Sequence, residues 1–161
     1  MVQNEEQHLQ SREDGAAKRY FGAVLGFEHV PSQEGTAVIE LKVQEDHCNL
    51  HGSVHGGVLM SLMDAAGLWA GAQKDGAQKN GAVPAAVTAS INCNFLRGAR
   101  FGQIVSLRAE GQVTKRGRSM YFSSISVYAV PGGDLIASGQ GVYGIVPPRP
   151  QPAMIPVPAP D

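Results

Sequence analysis

The run from Val58 to Ala72, Val-Leu-Met-Ser-Leu-Met-Asp-Ala-Ala-Gly-Leu-Trp-Ala-Gly-Ala, constrains the fold more than any other feature of the chain. It reads as a helix apolar on nearly every side, broken only by Ser61 and Asp64. Such a helix has to be wrapped by other structure. It is shorter than the roughly 20 apolar residues a bilayer span needs, which makes it a core helix and not a membrane anchor.

The remaining sequence offers the wrapping. From Thr36 to Val43, Ala37, Ile39, Leu41 and Val43 alternate with Val38, Glu40 and Lys42, the period of a half-buried strand. Beyond the helix come four strand-like segments, Ala85 to Leu96, Gln103 to Lys115, Ser119 to Val130 and Leu135 to Val146. They are punctuated by Arg97-Gly98, Arg116-Gly117 and Pro131-Gly132-Gly133-Asp134. Alternation of Val87, Ala89, Ile91, Cys93 and Phe95 marks one face of the first. Short turns predict that sequential strands pair as antiparallel neighbours. The expected class is α+β, a curved antiparallel sheet around one long central helix, spanning residues 35–146.

Flanking segments differ in character. Residues 1–34 read as an N-terminal extension, polar at first and then carrying a short amphipathic helix through Ala17, Tyr20, Phe21, Val24 and Leu25. Gly76 and Gly81 mark an exit loop after the central helix. The tail, residues 147–161, holds seven of the ten prolines, which favours an extended or disordered segment over regular pairing. A PxxP docking role is the alternative for that tail.

A length of 161 residues suits one domain with a real core. Thirteen Lys plus Arg against fourteen Asp plus Glu leave no basic face for nucleic acid or a membrane surface, so an anionic ligand must meet a local cluster. Cys48 and Cys93 are too few for a disulfide scaffold and are expected to be free thiols. The acidic, polar N-terminus lacks the apolar core of a signal peptide, and a cytoplasmic location is the default expectation.

Chemistry concentrates between Asn49 and Asp64. Gly56 and Gly57 stand where loop becomes helix, so their N–H groups are expected to be unpaired donors with no Cβ to hold a ligand away. That is a ready site for a carbonyl or oxyanion. Asp64 lies within an apolar helix, where an ionised carboxylate is costly unless paired or beside a wet site. It is the candidate general base for water, or the nucleophile itself. Asn49 has an amide able to donate to a carbonyl oxygen or hold a water, or simply to form a turn. His47, Cys48 and His51 sit close in sequence, but no second cluster has ligand spacing, and no metal site is expected.

The pattern Asn49, Gly52, His55-Gly56-Gly57 and Asp64 resembles the signature of hotdog-fold acyl-CoA thioesterases of the phenylacetyl-CoA thioesterase type. The likeness extends over roughly residues 35 to 146 in the order of elements. It implies hydrolysis of an acyl-CoA, aryl or medium-chain, with coenzyme A as part of the substrate and no separate cofactor. It also implies an active-site role for Asn49, a loop-shaping role for His55, and support from Thr88, which falls where related enzymes hold water with a Ser or Thr.

Eight residues of helix separate Gly56 from Asp64, about 12 Å at roughly 1.5 Å per residue, too far for both to serve one carbonyl from one chain. Two antiparallel helices across a twofold axis would bring each chain's Gly56 to the other's Asp64, so a homodimer with composite sites is expected. The resemblance implies such dimers, commonly paired into homotetramers. Arg97, Arg100, Lys115, Arg116 and Arg118 fall near turns and strand ends and are read as a phosphate rim for coenzyme A. Trp69, Leu68 and Met63 are core-helix residues that could also line an acyl pocket. Two rival functions share the fold: a non-catalytic acyl-CoA binding or sensing module, and a hydroxyacyl-thioester dehydratase.

Overall fold

The computed structural model describes residues 20–72 and 86–146. The polar N-terminal stretch with Ala17, the exit loop with Gly76 and Gly81, and the proline-rich tail lie outside the described residues.

A short helix α1 (Phe21–Leu25) ends at Gly26, whose φ of 78° provides the left-handed turn that closes it. Strands β1 (Phe27–Val30) and β2 (Thr36–Lys42) follow, then a 3-10 turn at Glu45–His47 and the long helix α2 (Gly56–Ala72). Four strands complete the chain: β3 (Ala86–Phe95), β4 (Ser106–Arg116), β5 (Met120–Val130) and β6 (Leu135–Ile145). All six form one antiparallel sheet in the order β1-β2-β4-β5-β6-β3.

Alternation builds the inner face. Ala37, Ile39 and Leu41 of β2, Leu107 and Ala109 of β4, and Ile125, Val127 and Ala129 of β5 are buried against the helix. Leu59, Leu62, Met63, Ala66 and Ala70 answer from α2 at helical spacing. Close approach is made possible by Gly111 of β4, where a Cβ would overlap the Ala66 carbonyl.

Three expectations need correction. The sheet begins earlier than residue 35, because Phe27 to Val30 pair with Leu41 to Val38. Strand β3 does not pair with β4; it crosses to the far edge and pairs with β6. The residues between Phe95 and Ser106 are too many for a tight hairpin and carry that crossing. The alternation in β3 is matched by burial only at its middle, where Ile91 and Cys93 pack against the core, while Val87 and Phe95 at its ends are 52% and 51% exposed. Finally, α2 is wrapped on one face only. Met60 is exposed, and Ser61, Asp64, Ala65 and Leu68 are half-buried on the outer side.

Candidate active site

Asn49 leads into a tight loop whose geometry its own side chain fixes. Its Oδ1 accepts from the N–H of His51 at 2.9 Å and of Ser53 at 3.2 Å, and Gly52 adopts the positive φ of 71° that the turn demands. The turn-forming and ligand-facing readings of Asn49 are therefore compatible. With Oδ1 engaged, the amide is oriented, and its Nδ2 has no acceptor among the described residues. The loop is anchored below by buried His47, whose carbonyl accepts the His55 N–H at 2.8 Å and whose Nδ1 accepts the Gln44 N–H at 3.1 Å.

His55 is the N-cap of α2. Its carbonyl accepts from Val58 and Leu59, and its Nδ1 accepts the Gly57 N–H at 2.9 Å. The Gly57 N–H is thus taken, which corrects the expectation that both glycines offer free donors. Gly56 alone keeps an N–H without an acceptor among the described residues at this helix start. The ring of Phe95 lies beside it, 3.4 Å from where a Cβ would stand. Because Nδ1 is an acceptor, the neutral His55 ring carries its proton on Nε2, and the lone pair at Nδ1 is not available as a base.

Two turns further along α2, the Asp64 carboxyl accepts a hydrogen bond from Thr88 Oγ1 at 2.8 Å. Burial pushes the Asp64 pKa above the usual carboxylate value, and the Thr88 hydroxyl pulls it partly back. Thr88 stands next to a bulge in β3, where the register with β6 slips between Thr88 and Ser90. The sheet also grips the helix backbone here. Tyr143 Oη donates to the Asp64 carbonyl at 3.4 Å, Ser123 Oγ to Gly67 at 2.9 Å, and Tyr121 Oη to Leu68 at 2.5 Å. Burial raises both tyrosine pKa values, so these hydroxyls remain donors.

The cations do not form one rim within a chain. Arg97 and Arg100 precede β4, whereas Lys115, Arg116 and Arg118 lie at its other end, about 33 Å away along an eleven-residue strand. Arg97 pairs with Asp134 at 2.9 Å. Arg116 is committed elsewhere: its Nη1 donates to the Gly71 carbonyl at 2.6 Å and its guanidinium lies 5.4 Å from the Tyr121 ring centre. It caps the helix C-terminus, where a cation is favoured. Arg100, Lys115 and Arg118 are exposed.

Both cysteines are free. Burial and the neighbouring Asp64 push the Cys93 thiol up, away from the thiolate form a nucleophile needs. Among the described residues, no three His, Cys, Asp or Glu side chains are gathered to hold a metal ion. No helix among them is long and apolar enough to cross a membrane. Beside Asp64, a cavity of about 230 Å³ opens between α1, β1 and the outer side of α2. Leu68 and Trp69 line it, while Met63 belongs to the core. Sequence reading missed His29 in its wall, because nothing in a four-residue strand signalled which cavity that strand borders.

A curved antiparallel sheet with one long helix in its concavity, a loop-to-helix turn at the start of that helix and a carboxylate two turns along it, is the hotdog arrangement of thioester hydrolases. The chain belongs to the Thioesterase superfamily, whose family model matches residues 51–136. Among curated relatives, human acyl-coenzyme A thioesterase 13 is 30% identical over 123 residues, 76% of this chain and 82% of that protein. Among solved structures, zebrafish thioesterase superfamily member 2 superposes with a TM-score of 0.67 at 27% identity, covering 81% of this chain and 89% of its own. A mutant of the phenylacetic acid degradation protein PaaI from Thermus thermophilus gives 0.63 at 26% identity, covering 78% and 98%.

Proposed function

We propose that the chain hydrolyses an acyl-CoA to free acid and coenzyme A in two composite sites of a homodimer. The observation that carries this reading is the separation of two halves of a site along one helix. A Gly56 N–H with no acceptor among the described residues stands at the start of α2, and the Thr88-bonded Asp64 carboxylate lies eight residues on, about 12 Å away. Each half lacks what the other supplies. The half-exposed outer side of α2 and the open edge of the ten-residue strand β3 favour a second copy as the source. The family also favours tetramers built from such dimers.

In the proposed reaction, the thioester oxygen accepts from Gly56 N–H, with Asn49 Nδ2 as the second donor. Asp64 of the partner subunit, held by that subunit's Thr88, takes a proton from water as its oxygen attacks the carbonyl carbon. The negative charge collects on the oxygen facing Gly56, where a donor at a helix start is most effective. When the carbonyl re-forms, the carbon–sulfur bond breaks and coenzyme A leaves as thiolate, which needs no strong acid. His55 supports this by holding the loop and absorbing the Gly57 N–H. Arg100, Lys115 and Arg118, with Arg97, are the cations left to meet the phosphates, those from opposite strand ends coming from different subunits. Hydrolysis of a soluble thioester in the cytoplasm suits this chemistry.

A panel of acyl-CoA thioesters assayed for released thiol tests the reading. Hydrolysis is expected for at least one ester, with turnover at least about a hundredfold lower in Asp64→Asn. Inertness of the whole panel refutes catalysis and leaves the binding module. In a single turnover in heavy-oxygen water, label should appear in the free acid and not in Asp64.

A further inference from the structure

Asp64 is held from the sheet at two points. Thr88 Oγ1 donates to its carboxylate at 2.8 Å, and Tyr143 Oη to its backbone carbonyl at 3.4 Å. The two donors are neighbours, because Thr88 of β3 lies directly opposite Tyr143 of β6. One cross-strand pair therefore meets both ends of one residue.

A local irregularity in β3 makes this possible. Side chains alternate between the faces of a strand, so a regular β3 that turned Ile91 and Cys93 toward the core would turn Thr88 away from it. The register instead runs from Thr88 opposite Tyr143 to Ser90 opposite Val142, leaving Ala89 without a partner. This extra residue reverses the alternation and puts Thr88 on the face that α2 covers.

Tyr143 is fully buried, and it reaches the helix through space kept by glycines. A Cβ on Gly67 of α2 or on Gly141 of β6 would overlap its hydroxyl. Its ring stacks on Tyr121, with centroids 5.2 Å apart and planes at 22°, which fixes its tilt. Tyr121 makes the corresponding contact one turn further along α2, donating to the Leu68 carbonyl. The titratable side chains that feel the Asp64 charge, Cys93 from β3, Tyr121 from β5 and Tyr143 from β6, are all pushed up and are uncharged at neutral pH. Across the outer cavity, burial pushes His29 down, so it is uncharged as well. Hydrogen-bond donors, and not a cation, decide where this carboxylate lies.

We infer that Tyr143 is a positioning residue for thioester hydrolysis, acting with its cross-strand partner Thr88 as a two-point clamp on Asp64. This rests on the thioesterase reading above, in which Asp64 activates water. The Tyr143 hydroxyl sets the height of the helix backbone above the sheet, and Thr88 binds Oδ1 at that height, which leaves Oδ2 for the water. A carboxylate pinned at one end alone turns away from its target.

The test uses the full chain and the fastest ester of a panel that includes phenylacetyl-CoA and octanoyl-CoA. Tyr143→Phe keeps the stacked ring and should lower kcat by about tenfold, between the cost of one net hydrogen bond and that of a misplacement by about 1 Å, with KM within about twofold of wild type. Tyr121→Phe loses the same kind of bond one turn away; it should lower Tm by a similar amount but leave kcat within about twofold. A clamp that works as a unit is broken by either loss, so Tyr143→Phe combined with Thr88→Val should be about as slow as the slower single variant. The acidic limb of the pH–rate profile should move to higher pH in Tyr143→Phe as in Thr88→Val, because each weakens the bond that stabilises the charged carboxylate, and the double variant should add nothing. Equal kcat in the two Tyr→Phe variants, an unmoved limb in Tyr143→Phe, or losses that multiply in the double variant each overturn the inference and leave the thioesterase reading standing. If the wild-type chain cleaves no ester of the panel, both fall together.

Discussion

Composite sites make a quantitative prediction about mixing two crippled chains. Gly56 is the first residue of α2, so Gly56→Pro deletes the proposed donor N–H while leaving a helix that tolerates proline at this position. A Cβ there meets Phe95 at 3.4 Å, an ordinary contact. Loss of one oxyanion donor costs about 10²–10³ in kcat, and Asp64→Asn at least about a hundredfold, so either variant alone should retain no more than about 1% of activity. When the two are unfolded together in equal amounts and refolded, an intact site needs Gly56 from one chain and Asp64 from another. Each is present with a probability of about one half, so about a quarter of wild-type activity should return, whether dimers or pairs of dimers form. Thiol release from the best ester in the panel is the assay. A mixture no more active than its parents would show that Gly56 and Asp64 do not serve a shared site across subunits.

Two further outcomes follow from the Asp64 environment. Thr88→Val deletes the hydroxyl that stabilises the charged carboxylate, so the Asp64 pKa should rise further. The acidic limb of the pH–rate profile should then move to higher pH, and an unmoved limb would separate Thr88 from the ionisation that controls rate. Because the folded-state pKa of Asp64 lies above its unfolded value, its ionisation opposes folding as pH rises through that raised pKa. Asp64→Asn should therefore raise Tm at pH 7 by about 1–3 °C, a gain kept small by partial exposure. The gain should vanish below the ordinary carboxylate range, and calorimetry showing the same difference at both pH values would refute the sign.

What the sequence disclosed was local. The helix, the later strands and the Asn49 to Asp64 loop follow from alternation, helical spacing and turn residues, and the structure holds them nearly as read. Contacts between distant segments were hidden. Strand β1 is only four residues long, Phe-Glu-His-Val, too short for periodicity to speak. The crossing of β3 to β6 is decided by the shape of the whole sheet and not by the turn letters Arg97-Gly98. Within the site, a free Gly57 N–H was a fair inference from helix starts in general, but it failed because the preceding residue carries an acceptor of the right reach. Arg116 looked like a phosphate ligand for want of any sign that Gly71, 45 residues earlier, would claim it.

The way the sheet holds α2 bears on how such a protein can diversify. Hydroxyls of Tyr143, Tyr121 and Ser123, with the Arg116 guanidinium, fasten four carbonyls along the helix from its inner side. The cavity lies on the outer side, bordered by a five-residue helix and the edge strand β1. Phe21, Phe27 and His29 on that border can therefore change while the inner fastenings keep the backbone at Asp64 in place. The fastenings and the cavity's border thus lie on opposite sides of one helix, and changes to the border leave the backbone at Asp64 in register.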